Sequence, residues 1–288
     1  MDWALLRTVY RELTQAQGFM RIPERELVMS DEASVSAYAR GGRADGALAG
    51  TYLYHLAQMC ELVGPGDLVL DLGCGPCSLL AQLAWLNPRA EFIGVDLSEG
   101  MLRQAAALLR QRGITNVELR RRDMTSLRDV PDASMDVVVS SMSLHHLPDL
   151  AALDRTFAEV ARVLKPEGRL YLSDFGRLKS LRSVDYFVSR AAEGEEPALA
   201  EDYAQSLRAA FSREEFEALM ARHLAGRARL YSTAISSLLV VVKGGTPRQS
   251  RPYGRELGAM FRALPRARKN DVRQMEVFLR LGGLRSAL

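Results

Sequence analysis

From Asp67 to Lys243 the chain alternates short apolar runs with longer stretches whose apolar residues recur every three or four positions. Period two marks half-buried or buried strands and period 3.6 marks amphipathic helices. The runs predict strands over Leu68–Asp71, Glu91–Asp96, Val117–Arg121, Met135–Ser140, Arg169–Ser173, Ala228–Ser232 and Ser237–Lys243. Between them, Met101, Leu102, Ala105, Leu108 and Leu109 share one helical face, as do Leu153, Phe157, Val160, Ala161 and Leu164. Lys165-Pro166-Glu167-Gly168 then reads as the stop of that helix and a turn into the fifth strand. Strand and helix in strict alternation predict an α/β fold, with a mostly parallel sheet covered on both faces.

The flanks follow other patterns. Trp3, Leu6, Tyr10 and Leu13 lie on one helical face, and Ala47–Val63 reads as an apolar helix closed by Gly64-Pro65-Gly66. The polar segment Ser36–Arg43 between them is placed to fold over a pocket, so residues 1–65 are expected to form an N-terminal helical lid. Residues 66–245 form the expected core, in which 176–227 is longer than a crossover requires and is expected to build a helical substrate or lid insertion. Residues 246–288 form a C-terminal extension.

Composition narrows the picture in two places. The net charge of +3 is small, yet Thr246–Leu288 carries +7 and the remainder −4. The extension is expected to be an amphipathic helix against the body or a second copy, with anionic partners such as RNA as the alternative. Three cysteines, two of them in Cys74-x-x-Cys77, do not suggest a disulfide framework. A zinc site on that pair requires two further ligands, and the adjacent His145 and His146 do not resemble a ligand pair, so no metal is expected. The first twenty residues lack a secretory apolar stretch and no run of about 18 apolar residues occurs, so the expected setting is cytoplasmic, without membrane insertion.

Ligands of open α/β sheets lie beyond the carboxyl ends of the strands, and four polar clusters fall there. They are Asp71-Leu72-Gly73-Cys74-Gly75, then Asp96, then Asp123-Met124, and last Ser140 to His146. The glycines permit close backbone approach, and Asp96, 21 positions past Gly75, can accept both hydroxyl hydrogens of a ribose. A dinucleotide turn calls for glycine at position 78, where Ser78 stands, and the Asp71 carboxylate would repel a pyrophosphate while favouring an amino-bearing ligand.

Together with Gly94-Val95-Asp96-Leu97-Ser98, Arg122-Asp123-Met124, Leu144-His145-His146 and Phe157–Gly168, this turn resembles the class I S-adenosylmethionine-dependent methyltransferases of the small-molecule type. The resemblance covers about residues 66–175. It implies a Rossmann-like, doubly wound, seven-stranded sheet whose last strand is inserted antiparallel. It implies S-adenosylmethionine as cofactor, with S-adenosylhomocysteine as product. Gly73 and Gly75 would pass the methionine part with Cys74 beside them, and Asp71 would sit near the amino group. Asp96 would hold the ribose, Leu97 and Met101 would flank ring and ribose, and Asp123 and Met124 would face the adenine. Ser140, at the end of the fourth strand, completes the expected cofactor set. Cys77 departs from the pattern, since such enzymes often carry another glycine there.

Methyl transfer is an in-line displacement that depends mainly on alignment. A base matters when the acceptor arrives protonated, and His145 on the loop beyond strand four is the expected one, beside Tyr38 from the lid by similarity. His146, Asp174, Tyr203 and His55 are the expected substrate-pocket residues. The expected function is methylation of a small metabolite at N, O or C. The alternatives are an RNA methyltransferase using the basic tail for phosphate contacts and a non-catalytic cofactor-binding regulatory protein. A homodimer contact through Met260, Phe261, Leu264, Met275, Phe278 and Leu279 is a further expectation.

Overall fold

The computed structural model describes residues 3–16, 18–24, 41, 46–191, 197–248 and 253–287. After helix α1 (Trp3–Thr14) and helix α2 (Ala49–Cys60) the chain alternates strand and helix. The elements are β1 (Leu68–Leu72), α3 (Ser78–Leu86), β2 (Glu91–Asp96), α4 (Glu99–Gln111), β3 (Val117–Arg121), β4 (Met135–Ser141), α5 (Leu150–Val163) and β5 (Leu164–Phe175). Helices α6 (Leu181–Ala191), α7 (Pro197–Ala209) and α8 (Arg213–His223) fill the insertion, and β6 (Ala228–Ser232), β7 (Leu239–Gly244), α9 (Gly254–Ala263) and α10 (Arg266–Leu281) follow.

The seven strands form one sheet in the order β3-β2-β1-β4-β5-β7-β6. The first five are parallel, and β7 enters antiparallel between β5 and β6. The strand order reverses between β1 and β4, the place where an open sheet forms its ligand crevice. Strand alternation divides the core into two layers. Val69, Val137, Val139, Tyr171 and Val241 face α2, α3, α9 and α10. Leu70, Leu72, Val138, Leu170, Leu172, Val240 and Val242 face α5 and α8.

Local chemistry sets the helix starts that border the crevice. Ser98 accepts the Met101 amide at α4, Asp149 accepts the Ala152 amide at α5, and Ser212 with Glu215 forms a reciprocal capping box at α8. At the opposite, amino end of the sheet, Arg169 is held bidentate by Asp67, with both contacts 3.0 Å and both side chains buried. The C-terminal extension folds onto the body. Val272, Met275 and Leu279 of α10 enter the core beside α2, where a side chain on Gly50 would strike the Arg268 carbonyl. Of the residues expected at a second copy, Leu264, Met275 and Leu279 are therefore buried within the chain itself, while Phe278 stays partly exposed.

Two expectations differ from the fold. Strand β5 begins at Leu164, and Lys165–Gly168 is extended chain with an irregular register between Met135 and Val137 of β4, where a turn was read. The last strand starts at Leu239, two residues later than expected. Among the described residues no helix is long and apolar enough to cross a membrane.

Candidate active site

The turn after β1 is folded back on β2 by two amides, since Gly73 N and Cys74 N both donate to the Val95 carbonyl, at 2.9 and 3.0 Å. Gly73 and Gly75 have φ of +69° and +53°, and Cys77, the residue before α3, has φ of +60°. Such left-handed backbone costs an L residue about 1–2 kcal/mol, which accounts for a glycine preference at all three positions. A Cβ on Gly73 would lie 2.5 Å from Ser143 Cβ, whereas a Cβ on Gly75 would meet nothing within 4 Å. Gly73 is thus required by the protein, and Gly75 borders open space.

That space is a cleft lined by Tyr52, Asp71, Gly73, Gly75, Ser78 and Ser141, among others. Asp71 is 8% exposed, and its carboxylate makes no hydrogen bond within the described residues. Burial and, after it, the neighbouring Asp96 push the Asp71 carboxyl up to about 8. Asp96 is anchored differently: Oδ2 accepts from Gly75 N and Oδ1 from Ser98 N, both at 2.8 Å. Burial raises the Asp96 carboxyl, while the Ser98 and Gly75 amides hold it down. Each carboxylate oxygen keeps a second lone pair for a hydroxyl donor. An unpartnered carboxylate, a carboxylate with free lone pairs and a glycine facing open space fit an amino- and ribose-bearing cofactor.

The remaining expected cofactor residues divide. Met124 reaches the turn, its Cε 3.2 Å from the Cβ position of Gly73. Met101 is buried at the start of α4, and Leu97 is exposed beside Asp96. Asp123 spends its side chain on the Thr125 amide at 2.8 Å. Cys74 is buried with its sulfur against the Cβ position of Gly94. Ser140 is fully buried and braces the sheet: its hydroxyl and that of Ser143 both reach the Leu72 carbonyl, at 2.9 and 3.0 Å. Ser141, from the same polar cluster, and Tyr52, absent from the sequence reading, line the cleft instead.

His145 is buried in the short 3-10 turn Leu144–His146. Asp174, at the end of β5, holds that turn. Its Oδ2 accepts the Leu144 and His145 amides at 2.6 and 3.0 Å, and Oδ1 meets His145 Nδ1 at 2.6 Å and the Phe175 amide at 2.6 Å. Burial pulls the His145 imidazole down, but Asp174 and Glu24 outweigh it and the net shift is upward. His146 is half-buried and pairs with Glu24 through Nδ1 at 2.5 Å. Its charge is felt by Asp96, which places this cluster next to the cleft. Tyr203 contacts Phe175 edge-on at 5.4 Å, and Phe175 in turn lies against the His145 ring. His55 is fully buried in α2, bonded through Nδ1 to Tyr171 at 2.7 Å, and its Nε2 has no partner. Burial drives its imidazole down to about 4, so it is a neutral core histidine. Tyr38 and the segment Ser36–Arg40 lie outside the described residues.

Two residues of the N-terminal segment carry this end of the site and were not foreseen. Arg21 donates to the carbonyls of His145, Leu147, Pro148 and Ala209 at 2.5–2.8 Å and stacks over Phe211. Glu24 bridges His146 and Ser206 and faces His145. Both are single charged residues in an aperiodic stretch, so no sequence pattern announces them.

Comparison with known proteins places these features. Residues 69–168 match the family described as a methyltransferase domain. Nocamycin O-methyltransferase of Saccharothrix syringae is 38% identical over 119 residues, covering 40% of this chain and 41% of that protein. The 27-O-demethylrifamycin SV methyltransferase of Amycolatopsis mediterranei is 32% identical over 178 residues, covering 54% and 64%. The chain therefore spans less than two thirds of the length of these relatives. A SAM-dependent methyltransferase from Aquifex aeolicus shares the fold, with a TM-score of 0.53 at 18% identity over 74% of this chain and 97% of that one.

Proposed function

We propose that the chain, which carries such a domain over residues 69–168, is a class I S-adenosylmethionine-dependent methyltransferase that methylates a small metabolite, at a hydroxyl oxygen in preference to nitrogen or carbon. The observation that carries the cofactor assignment is the buried, unpartnered Asp71 carboxylate beside a glycine turn clamped by Asp96. The relatives named for O-methylation support an oxygen acceptor. S-adenosylmethionine, when bound, supplies a methyl group made electrophilic by the sulfonium sulfur. Asp71 and Asp96 anchor its two polar ends, and Gly75 leaves room for the chain between them.

The chain's own contribution is alignment and handling of the acceptor proton. His145 is the acceptor of that proton, with Asp174 fixing its Nδ1 proton and leaving Nε2 basic. Tyr38 is its partner from the N-terminal segment. Tyr203, His146 and Asp174 bound the acceptor's side of the site, beyond the carboxyl ends of β4 and β5. Calorimetric titration with S-adenosylmethionine and S-adenosylhomocysteine tests the cofactor assignment: one site, lost in Asp96→Ala, is expected, and no binding refutes it. Turnover against hydroxylated small molecules, read as S-adenosylhomocysteine release, tests the acceptor class. Transfer to RNA alone would overturn it.

A further inference from the structure

Beside the cofactor cleft, four polar side chains converge under the 3-10 turn after β4. Asp174 engages His145 Nδ1 at 2.6 Å and so directs Nε2 away from itself. His145 is 3% exposed, and its Nε2 receives no hydrogen bond among the described residues; Glu24 Oε1 lies 3.8 Å from it, beyond hydrogen-bond range. His146 presents Nδ1 to the other oxygen of the same carboxylate at 2.5 Å. One nitrogen of each imidazole and one Glu24 oxygen lie within 4.8 Å of one another.

We propose that Glu24, His145 and His146 bind a divalent transition-metal ion of the zinc class, with Asp174 as the residue that positions His145. Two imidazoles and one carboxylate suit zinc, cobalt, nickel or ferrous ions, whereas magnesium and calcium prefer all-oxygen sites. Metal bonds of about 2.0–2.2 Å at a tetrahedral angle set neighbouring ligand atoms roughly 3.4 Å apart, close to the 3.8 Å separating His145 Nε2 from Glu24. The shorter His146–Glu24 hydrogen bond opens to admit the ion. A carboxylate on the far nitrogen of a ligating imidazole is the usual support of such sites, and Asp174 supplies it. The charge balance agrees. Glu24 and Asp174 face two imidazoles here, while the Arg21 guanidinium is spent on backbone carbonyls, so a dication is electrostatically favoured.

Three protein ligands leave a coordination position open toward the side of the site assigned to the acceptor. An oxygen acceptor bound there would be acidified by the ion, which in the metal-loaded protein would take over the role that the metal-free site gives to His145. That consequence rests on the methyltransferase reading above; ion binding itself rests only on the donor set.

The test is titration of the chelator-treated full chain with cobalt(II), followed by visible d–d absorption, and with zinc sulfate by calorimetry. One equivalent is expected. Glu24→Gln and His146→Ala are expected to abolish it, and Asp174→Asn to weaken it 10–100-fold. His146→Gln replaces the alanine variant should circular dichroism show that variant unfolded. A Cys74→Ser/Cys77→Ser double variant is expected to bind cobalt unchanged. No saturable binding, survival of binding in both Glu24→Gln and His146→Ala, or sulfur-to-cobalt charge-transfer bands would each overturn the site. Titration of the same preparations with S-adenosylmethionine separates the two readings. Cofactor binding without metal binding removes only this inference, and metal binding without cofactor binding removes only the functional one.

Discussion

Replacing Asp71 by Asn is expected to make the free protein more stable and the cofactor complex weaker. The carboxyl titrates at about 3.8 in the unfolded chain and near 8 in the fold, where burial and Asp96 oppose its charge. A folded-state value above the unfolded one means that the folded chain holds the proton longer, so this group removes stability as pH rises from about 4 to 8. At 1.36 kcal/mol per unit, the burden is about 4 kcal/mol at pH 7 and grows by about 2.7 kcal/mol between pH 5 and pH 7. The second figure changes little for any folded value at or above about 8. Asparagine has the same shape and no charge, so the gap in Tm between variant and wild type should widen by roughly 5 °C over that pH interval. Thermal unfolding at pH 5, 6 and 7 measures it. A gap that does not change with pH, or a variant less stable than wild type at pH 7, refutes the picture of a carboxylate held without a partner. On the proposed reading, the ammonium of the cofactor would be that partner in the complex. Wild-type affinity should therefore rise with pH up to about 8, and Asp71→Asn should bind about 10–100-fold more weakly, the worth of one charge-assisted hydrogen bond.

Other expectations use different measurements. Gly75→Ala meets open space, so unfolding should reveal only about 1–2 kcal/mol of left-handed backbone strain while cofactor affinity falls at least about tenfold; unchanged affinity would move the cofactor off this glycine. Arg169→Met removes the buried guanidinium from Asp67, leaving it the Gly64 amide and the more distant Arg248, and should cost about 3 kcal/mol in urea unfolding, most of it recovered in the Arg169→Met/Asp67→Leu pair. Leu279→Ala should cost about 2–5 kcal/mol, because the side chain is fully enclosed between α10 and α2. Arg21→Ala should speed hydrogen exchange at residues 144–147 with cofactor affinity unchanged, and exchange equal to wild type would show that the three carbonyl contacts to this loop do not hold it.

The parallel core was legible because β1, β2, β4 and β5 are built on short apolar runs, and the two-layer alternation of Val137, Val138 and Val139 follows from strand period alone. Where the reading slipped, at Lys165–Gly168, the turn-forming residues are a bulge within β5, which advances from Leu164 to Arg169 while β4 advances only from Met135 to Val137. The turn carrying Asp71, Gly73 and Gly75 was legible from local sequence. The cluster on the other side was not: Arg21 and Glu24 reach residues more than a hundred positions away, and nothing in residues 18–24 is periodic. His145 was expected on the loop beyond strand four, and Asp174 draws that turn inward through three of its donors, the Leu144 and His145 amides and His145 Nδ1. Helix α1 was legible as a helix, but spacing could not tell which side meets the body. Its Thr8 and Glu12 are buried, with the Glu12 carboxylate accepting the Lys179 amide, and Trp3, Tyr10 and Leu13 face outward. Cys77, unexplained by sequence, occupies the left-handed residue before α3, a backbone conformation that favours glycine.

The seating of α10 on α2 has a consequence for biogenesis. Gln58 donates to the Arg285 carbonyl across 227 positions, and the apolar side of α2 is closed by Val272, Met275 and Leu279. During synthesis α2 emerges early, but its cover is made about two hundred residues later, so the growing chain carries an open apolar groove for most of its translation. The layer on the opposite face of the sheet, closed by α5 and α8, can consolidate before that. The basic extension thus acts as a late-arriving plug. Its arginines keep the free segment from collapsing or aggregating while its apolar stripe waits for its seat.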